Sequence, residues 1–128
     1  MKVLTIKEPY VGYIADGTKH YETRSWKTNY RGELYIHTAK KPMTPDAHVT
    51  MPLGCIVLKA RLTDCIEMTE TFIEGLDETE KAEGFYSVGR YAWKLEDVEP
   101  VSPIRAKGML GIWSFRGDEY VQDMDTDV

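Results

Sequence analysis

The chain has 128 residues, a net charge of −5 and two cysteines. That length suits one compact domain, which we place at residues 1–116, with a core large enough to need no disulfide or structural metal. It has neither a leader pattern nor an apolar run near the roughly 18 residues of a membrane span, which favours a cytoplasmic protein with reduced cysteines and no membrane partner.

The first predicted elements are a strand, a short helix and a sharp turn. Residues 3–6 form an apolar run fit for a buried strand. Pro9 suits the first turn of a helix, because its missing N–H would have no partner there. Apolar residues then follow at helical spacing up to Ile14, and Gly17 is placed to end the helix in the left-handed conformation. Lys19 therefore follows a helix-to-strand turn.

The segment after this turn, from His20 to Trp26, alternates like a strand. Glu22 and Arg24 should therefore project from the same face, and Lys19 can reach the same space. Charges of both signs on one face cost several kcal/mol if they are buried without partners. The face is therefore either an exposed edge strand that carries an ion pair or the wall of a polar cleft.

The middle of the chain predicts two further strands. One covers about residues 33–39, after which prolines break residues 40–53 into an irregular excursion. The longest alternating stretch then puts Asp64 near the end of an apolar face, where a carboxylate either caps a turn or points into a cleft. That face consists of Ile56, Leu58, Ala60, Leu62 and Ile66.

The last third of the chain predicts helices first and strands afterwards. Residues 68–84 can form one or two helices, and strands follow near 90–96 and 108–115. Residues 117–128 are acidic and nearly devoid of apolar side chains, so we expect a disordered tail. Five or six short strands with few helices predict an α+β fold, in which a small mixed β-barrel carries short flanking helices.

Charge is distributed unevenly along the chain. Residues 1–66 hold ten Lys and Arg against six Asp and Glu, whereas residues 67–100 hold three against ten. The basic share thus accompanies the charged strand, and we interpret the acidic run as a solvated helix or loop. An acidic surface would repel a long duplex, so a nucleoside, an unpaired base or a short single strand is the better-suited partner.

Several residue types point to a cleft that binds a base and a phosphate. Aromatic side chains able to stack on a base are Trp26, Tyr30, Tyr35, Tyr91 and Trp93. Trp26 is favoured among them because it shares a strand face with the charged pair. His37 can act as a base or bind a ligand, although a lone strand histidine is more often structural. The cations placed to steer a phosphate are Arg31, Lys40 and Lys41.

Catalysis, if the cleft is catalytic, would depend on Lys19. A desolvated lysine beside a carboxylate can deprotonate water, or can stabilise an oxyanion if it stays charged. Glu22 would orient this lysine, shuttle its proton or simply pair with Arg24. A metal centre is disfavoured, because the two cysteines are ten residues apart and the three histidines lack ligand spacing, and we expect no cofactor.

One motif and several blocks around it carry a family resemblance. Residues 17–24 fit the pattern Gly-x-Lys-x-x-Glu-x-Arg. Further blocks follow in order, namely Leu4–Tyr10, Tyr30–Gly32, Leu34–Lys40, Tyr91–Leu95 and Lys107–Trp113. On these blocks the chain resembles the ASCH family, the activating-signal-cointegrator homology domains of the PUA-like superfamily. The resemblance implies a PUA-like barrel whose cleft binds RNA or a coactivator-related partner.

Some small bacterial members of that family are amidohydrolases that remove the acetyl group from N4-acetylcytidine, with a lysine, a threonine and a glutamate in the site. Their lysine matches Lys19. Their threonine matches the position of Glu22, while Thr23 stands one place later on the opposite strand face. Their glutamate falls in the region of residues 67–83, where the candidates are Glu70, Glu74 and Glu83.

Three functions follow as hypotheses. The first is a cleft that binds RNA, single-stranded nucleic acid or a modified nucleoside through Lys19, Glu22, Arg24, Trp26 and Arg31. The second makes the same cleft an amidohydrolase for an N4-acylated cytidine. The third is a protein-interaction adaptor that uses the acidic run. The sequence leaves the oligomeric state open.

Overall fold

The computed structural model of the chain describes residues 1–117. Its strands are β1 Lys2–Ile6, β2 Tyr21–Arg24, β3 Gly32–Thr38, β4 Cys55–Glu67, β5 Tyr91–Arg105 and β6 Ile112–Ser114. Its helices are α1 Tyr10–Asp16, α2 Glu70–Glu74 and α3 Glu78–Ala82. Six strands with a few short helices confirm the predicted α+β class. Of the predicted acidic tail, all but the first residue lies outside the described residues.

The strands form one mixed sheet in the order β2-β5-β4-β3-β1-β6. β1 pairs with β3 in parallel, and the other neighbours are antiparallel. The sheet curves into a half-barrel with β2 at one edge and β6 at the other. β6 pairs only with Lys2–Leu4 of β1, which leaves the end of β1 without a strand neighbour on that side. We call the gap between this end of β1 and β2 the seam. Arg24 Nη2 on β2 donates across the seam to the Thr5 carbonyl on β1 over 2.8 Å. A side chain therefore bridges the half-barrel where no backbone ladder does.

Two apolar clusters lie on the sheet. The larger contains Leu4, Ile6, Val11, Ile14, Leu34, Ile36, Val57, Leu58, Ala60, Leu62, Trp93 and Leu95. The smaller contains Val3, Ile56, Ala106, Trp113 and Phe115. Ile56 thus packs apart from Leu58, against the prediction of one continuous face. The β4–β5 register shifts between these two residues, and a one-residue shift moves a side chain to the other face.

The strand predicted near residues 90–96 continues as β5 to Arg105, through two prolines. The β4–β5 pairing has three register shifts, and Pro103 falls in one of them, where a bulged residue needs no ladder hydrogen bond. Pro100 stays opposite Leu58 but lies beyond the stretch of β5 that β2 covers, so β5 is an edge strand there. One of these irregularities accompanies Asp97, whose φ is 53°. Another falls between Leu62 and Asp64 and leaves Asp64 exposed rather than on the apolar face. The last strand is also shorter than predicted, because the segment before Ile112 is a loop.

A buried carboxylate that the sequence analysis missed attaches the proline-rich excursion to α1. Glu8 is fully buried and accepts the backbone N–H groups of Gly12, Thr50 and Met51 at 2.7–2.8 Å. Three backbone donors satisfy the carboxylate, which removes most of the cost of burying it. Its backbone carbonyl also accepts from Met43 at 2.8 Å. The excursion is therefore held against the start of the helix.

Gly17 ends α1 in the left-handed conformation, as predicted, with a φ of 86°. We expect Gly17→Ala to lower the free energy of unfolding by about 1 kcal/mol, because a Cβ is strained at that φ even where space is open. Gly75→Ala is the matched control, since Gly75 follows α2 with a φ of −78° and its added Cβ would make ordinary contacts at 3.5 Å. Urea titration checks both variants, and equal losses would contradict the conformational explanation.

Candidate functional site

A cavity of about 440 Å³ opens at the seam, and we call it the seam cavity. β1 contributes Thr5 and Ile6, and β2 contributes Glu22, Thr23 and Arg24. The remaining lining comes from loops, α1 and its flanks, and comprises Lys7, Tyr10, Lys19, Ser25, Trp26, Ala39, Met43, Gly84, Phe85, Arg90, Met109, Leu110 and Gly111. Four of the predicted site residues therefore meet in one cavity: Lys19, Glu22, Arg24 and Trp26.

The charged pair on β2 occupies the wall of this cavity. Arg24 Nη2 lies 2.9 Å from Glu22 Oε2, so the glutamate faces the arginine. The same guanidinium holds the Thr5 carbonyl, while its Nε is buried without a hydrogen-bond partner among the described residues. The pair is therefore fixed in place, and the guanidinium keeps one N–H donor that no described residue uses.

Lys19 is the most unusual group of the site. Its side chain is only 2 % exposed, and within residues 1–117 its Nζ has no hydrogen-bond partner. The nitrogen lies 5.6 Å and 5.3 Å from the ring centroids of Tyr10 and Tyr86. Burial lowers the pKa of the Lys19 amine, and three neighbouring carboxylates, Glu22, Glu80 and Glu83, offset this only in part.

The structure packs the chain tightly around this amine. A Cβ added to Gly84 would come within 2.6 Å of Lys19 Nζ and 2.8 Å of Tyr86 Cε2. The absence of a side chain at Gly84 therefore allows the loop after α3 to cover the lysine. This loop also brings Phe85 to the rim, where Arg90 Nε donates to the Phe85 carbonyl over 3.0 Å.

Glu80 corrects the interpretation of the acidic run as a solvated face. It is 2 % exposed and its carboxylate accepts from the His20 backbone N–H at 2.9–3.0 Å and from the Tyr86 hydroxyl at 2.7 Å. His20 Nδ1 lies 2.8 Å from the same carboxylate. Burial is the main cause that raises the pKa of the Tyr86 phenol, and its hydrogen bond to Glu80 is the next. His20 is thus held by Glu80 of α3 through both its backbone N–H and its ring.

Glu83 is the second residue of the acidic run that approaches the site. Its Oε2 accepts from the Thr18 hydroxyl at 3.0 Å, and its Oε1 is buried without a partner among the described residues. The sequence signal available for α3 was the N-cap Asp77, which accepts from the Glu80 backbone N–H at 2.7 Å. That signal locates the helix but says nothing of what its carboxylates contact.

Six predicted ligand contacts lie outside the lining of the seam cavity. His37 and Lys40 line a second cavity, whereas Tyr30, Arg31, Asp64 and Tyr91 line neither. Arg31 donates to the Thr28 and Tyr30 carbonyls at 3.0 Å and 2.9 Å and lies 3.7 Å from Asp64. The Tyr30 hydroxyl donates to the Glu33 carbonyl at 2.5 Å. Because these groups have local partners, the structure gives them roles in holding turns, and ligand contact by them stays a prediction.

Trp26 and Trp93 form an edge-to-face pair with ring centroids 4.7 Å apart and an interplanar angle of 90°. Trp93 is fully buried and donates its indole N–H to the Trp26 carbonyl at 3.3 Å. Trp26 keeps 39 % of its surface exposed at the cavity rim. The buried tryptophan therefore orients the exposed one.

His37 and Lys40 line a second cavity of about 710 Å³, which we call the flank cavity. Trp113 Nε1 donates to Thr5 Oγ1 at 3.0 Å, so the hydroxyl can donate to His37 Nδ1 at 3.2 Å. His37 Nε2 then donates to the Ala106 carbonyl at 2.7 Å. Burial lowers the pKa of this imidazole, which favours the neutral form. Both ring nitrogens are thus occupied by the protein.

Within residues 1–117, no group of three or more His, Cys, Asp or Glu side chains is arranged to hold a metal ion. In the same range, no helix is both long and apolar enough to cross a membrane.

Fold and site together define a small half-barrel domain with a ligand-sized cavity at its seam. The ASCH domain family model matches residues 4–106, and the chain belongs to that family. The structure is similar to that of ASCH from Zymomonas mobilis, with a TM-score of 0.61, 16% identity, and coverage of 98% of this chain and 93% of that one. A tyrosine-to-phenylalanine mutant of that protein has a TM-score of 0.61 and 16% identity, with coverage of 98% of this chain and 96% of that one. A serine-to-alanine mutant has a TM-score of 0.60 and 16% identity, with coverage of 98% and 94%. No curated protein matches the chain.

Proposed function

We propose that the seam cavity binds one nucleoside, free or as an unpaired nucleotide of RNA. The observation that carries this proposal is the division of the lining into a charged floor and an aromatic rim. Lys19, Glu22 and Arg24 form the floor, while Trp26 and Phe85 remain 39 % and 51 % exposed at the rim. Proteins that read single-stranded RNA use this combination, because the rings stack on the base and the polar groups bind its edge.

The polar groups of the floor suit a pyrimidine of the cytidine type. Lys19 Nζ and Arg24 Nε are donors without partners among the described residues, and the Glu22 carboxylate is an acceptor. Cytosine offers ring nitrogen and carbonyl acceptors beside an exocyclic N4 donor, so the two sets are complementary. A cavity of about 440 Å³ also lies within the range of small-molecule sites.

Trp26→Ala tests this proposal. Titration calorimetry with cytidine, N4-acetylcytidine, uridine and adenosine should show binding of a cytidine-type nucleoside. The variant should bind it about tenfold more weakly, because stacking on one ring contributes about 1–3 kcal/mol. Val88→Ala is the matched control, since Val88 is 62 % exposed and outside the cavity lining. Failure of every nucleoside to bind would overturn the proposal and favour the adaptor hypothesis.

A second candidate function, the amidohydrolase, is favoured by the lowered pKa of the buried Lys19 amine. A neutral lysine can take a proton from water while the hydroxide attacks the acyl carbonyl carbon of an N4-acylcytidine. The tetrahedral intermediate then breaks its C–N bond, and the lysine returns the proton to the departing N4. The products are a carboxylic acid and cytidine, with one water consumed. The neighbouring carboxylates would stabilise the lysinium that forms in the first step.

Release of acetate and cytidine from N4-acetylcytidine tests the second candidate. Turnover should rise with pH as the Lys19 amine loses its proton, in a range below its ordinary value of 10.5. Binding of N4-acetylcytidine without any release of acetate would eliminate the amidohydrolase and leave the nucleoside-binding function intact.

A further inference from the structure

The seam cavity and the flank cavity are neighbours that share four lining residues: Thr5, Ala39, Met109 and Leu110. Met109 and Leu110 belong to the loop between β5 and β6, and this loop therefore forms a partition between the two cavities. Both cavities fall within the size range of nucleotide-sized ligands, at about 440 Å³ and about 710 Å³. A ligand in one is close to a ligand in the other.

The partition is apolar at its tip and anchored at its base. Leu110 is 98 % exposed and Met109 is 61 % exposed, which leaves much of two large apolar side chains in water. A Cβ on Gly108 would lie 3.0 Å from His37 Cε1 and 3.1 Å from Thr5 Oγ1, so the loop base is seated on this pair. The apolar tip is thus presented at a fixed place.

The flank cavity is basic although the whole chain is acidic. Its lining includes Lys40, Arg105 and Lys107 and contains no Asp or Glu. All three are exposed, and none makes an ion pair with another residue of 1–117. In a chain with 21 Asp and Glu against 16 Lys and Arg, three unpaired cations around one opening form a local anion site.

We propose that the flank cavity binds the nucleotide next to the one in the seam cavity, so that the natural ligand is single-stranded RNA of at least two nucleotides. Lys40, Arg105 and Lys107 bind the phosphate and its neighbour, and Leu110 packs between the two bases at the partition. This inference rests on the nucleoside-binding function proposed above. His37 acts only as a support for the partition, because both of its ring nitrogens are engaged.

The test compares cytidine, its 3′- and 5′-monophosphates and cytidine-containing dinucleotides by calorimetry at about 50 and 200 mM salt. The wild type should bind a dinucleotide at least about tenfold more tightly than cytidine, with a gain that shrinks at the higher salt. The double variant Lys40→Ala, Lys107→Ala should lose this gain and keep the affinity for cytidine. The double variant Lys59→Ala, Arg61→Ala removes the same charge from β4, outside both linings, and should behave as wild type.

Leu110→Ala addresses the partition itself. It should weaken the dinucleotide several-fold more than it weakens cytidine, because Leu110 lines both cavities and only the dinucleotide occupies both sides of it. Val88→Ala, an equally simple truncation of an exposed side chain outside both linings, should affect neither ligand.

The possible outcomes distinguish the second nucleotide site from nucleoside binding in the seam cavity. Cytidine binding without any gain for dinucleotides overturns the second site and leaves the nucleoside function standing. A monophosphate that recovers the whole gain overturns the second-base site, because a free phosphate then suffices. Equal losses in the two double variants overturn it as well, since general attraction would explain them. Failure of cytidine and dinucleotide alike overturns the proposed function itself.

Discussion

Lys19→Met is expected to reduce ligand binding in the seam cavity at least tenfold and any N4-acetylcytidine turnover by about 100-fold or more, without loss of stability. Methionine matches the lysine side chain as far as Cε and packs well against the rings of Tyr10 and Tyr86. It removes an amine whose nitrogen is buried without a partner among the described residues. Replacing a destabilised buried charge by an apolar side chain is neutral or stabilising.

The stability of this variant relative to wild type should depend on pH in a defined direction. The pKa of Lys19 is lower in the folded state than its ordinary value of 10.5. Below the folded-state value, both states carry the charge, and the folded state bears the full cost of burying it. Between that value and 10.5, only the unfolded chain keeps the proton, so wild-type stability rises with pH. The advantage of Lys19→Met should therefore be largest below the folded-state pKa and smallest above about 10.5, where neither state carries the charge.

Chemical denaturation of both proteins from about pH 6 to about pH 11 measures this difference, and titrations of other groups cancel where they are unaffected by the substitution. A variant that is less stable than wild type at neutral pH would show that the carboxylates around Lys19 outweigh its burial. Unchanged binding of the nucleoside would remove Lys19 from the site altogether.

Glu80→Ala is expected to lower the free energy of unfolding by about 3 kcal/mol, a large fraction of the stability of a small domain. The substitution leaves the Tyr86 hydroxyl and the His20 backbone N–H without the acceptor that now holds them at 2.7 Å and 2.9–3.0 Å. It also detaches α3 from the entry to β2, where Lys19 lies. Nucleoside binding should weaken together with stability.

Glu78→Ala is the matched control for this prediction. It removes a carboxylate from the same helix, but its side chain is 92% exposed and contacts Lys81 at 3.4 Å, so the change should stay within about 0.5 kcal/mol. Urea titrations of both variants, with the nucleoside titration repeated on each, provide the comparison. Similar small losses in the two would contradict a structural role for the buried carboxylate.

Tyr86→Phe separates the two donors that Glu80 satisfies. Removing the phenol hydroxyl removes one hydrogen bond and leaves Glu80 bound to His20. The free energy of unfolding should therefore fall by less than it does in Glu80→Ala. The same urea titration measures it, and a loss as large as that of Glu80→Ala would assign the whole effect to the phenol.

The sequence was sufficient for the features that depend on local chemistry. Gly17 ends α1 in the left-handed conformation as predicted, because a C-cap acts within one turn. Pro9 was predicted in the first turn and lies one residue earlier, at the N-cap before Tyr10. Period-two alternation also placed Glu22 and Arg24 on one face, where they pair at 2.9 Å. The motif around Lys19 and the ordered blocks identified the ASCH family, which the family model confirms over residues 4–106.

Only the tertiary structure decided which charged groups share the seam. Glu80 is distant in sequence from His20, and its burial depends on a backbone donor and a phenol that no spacing in the acidic run indicates. Tyr30, Arg31 and Asp64 resemble cleft residues in composition, yet a bulge and local carbonyl partners direct them elsewhere. Side-chain periodicity specifies a face, whereas the curvature of the sheet and the closing of the seam determine which faces meet.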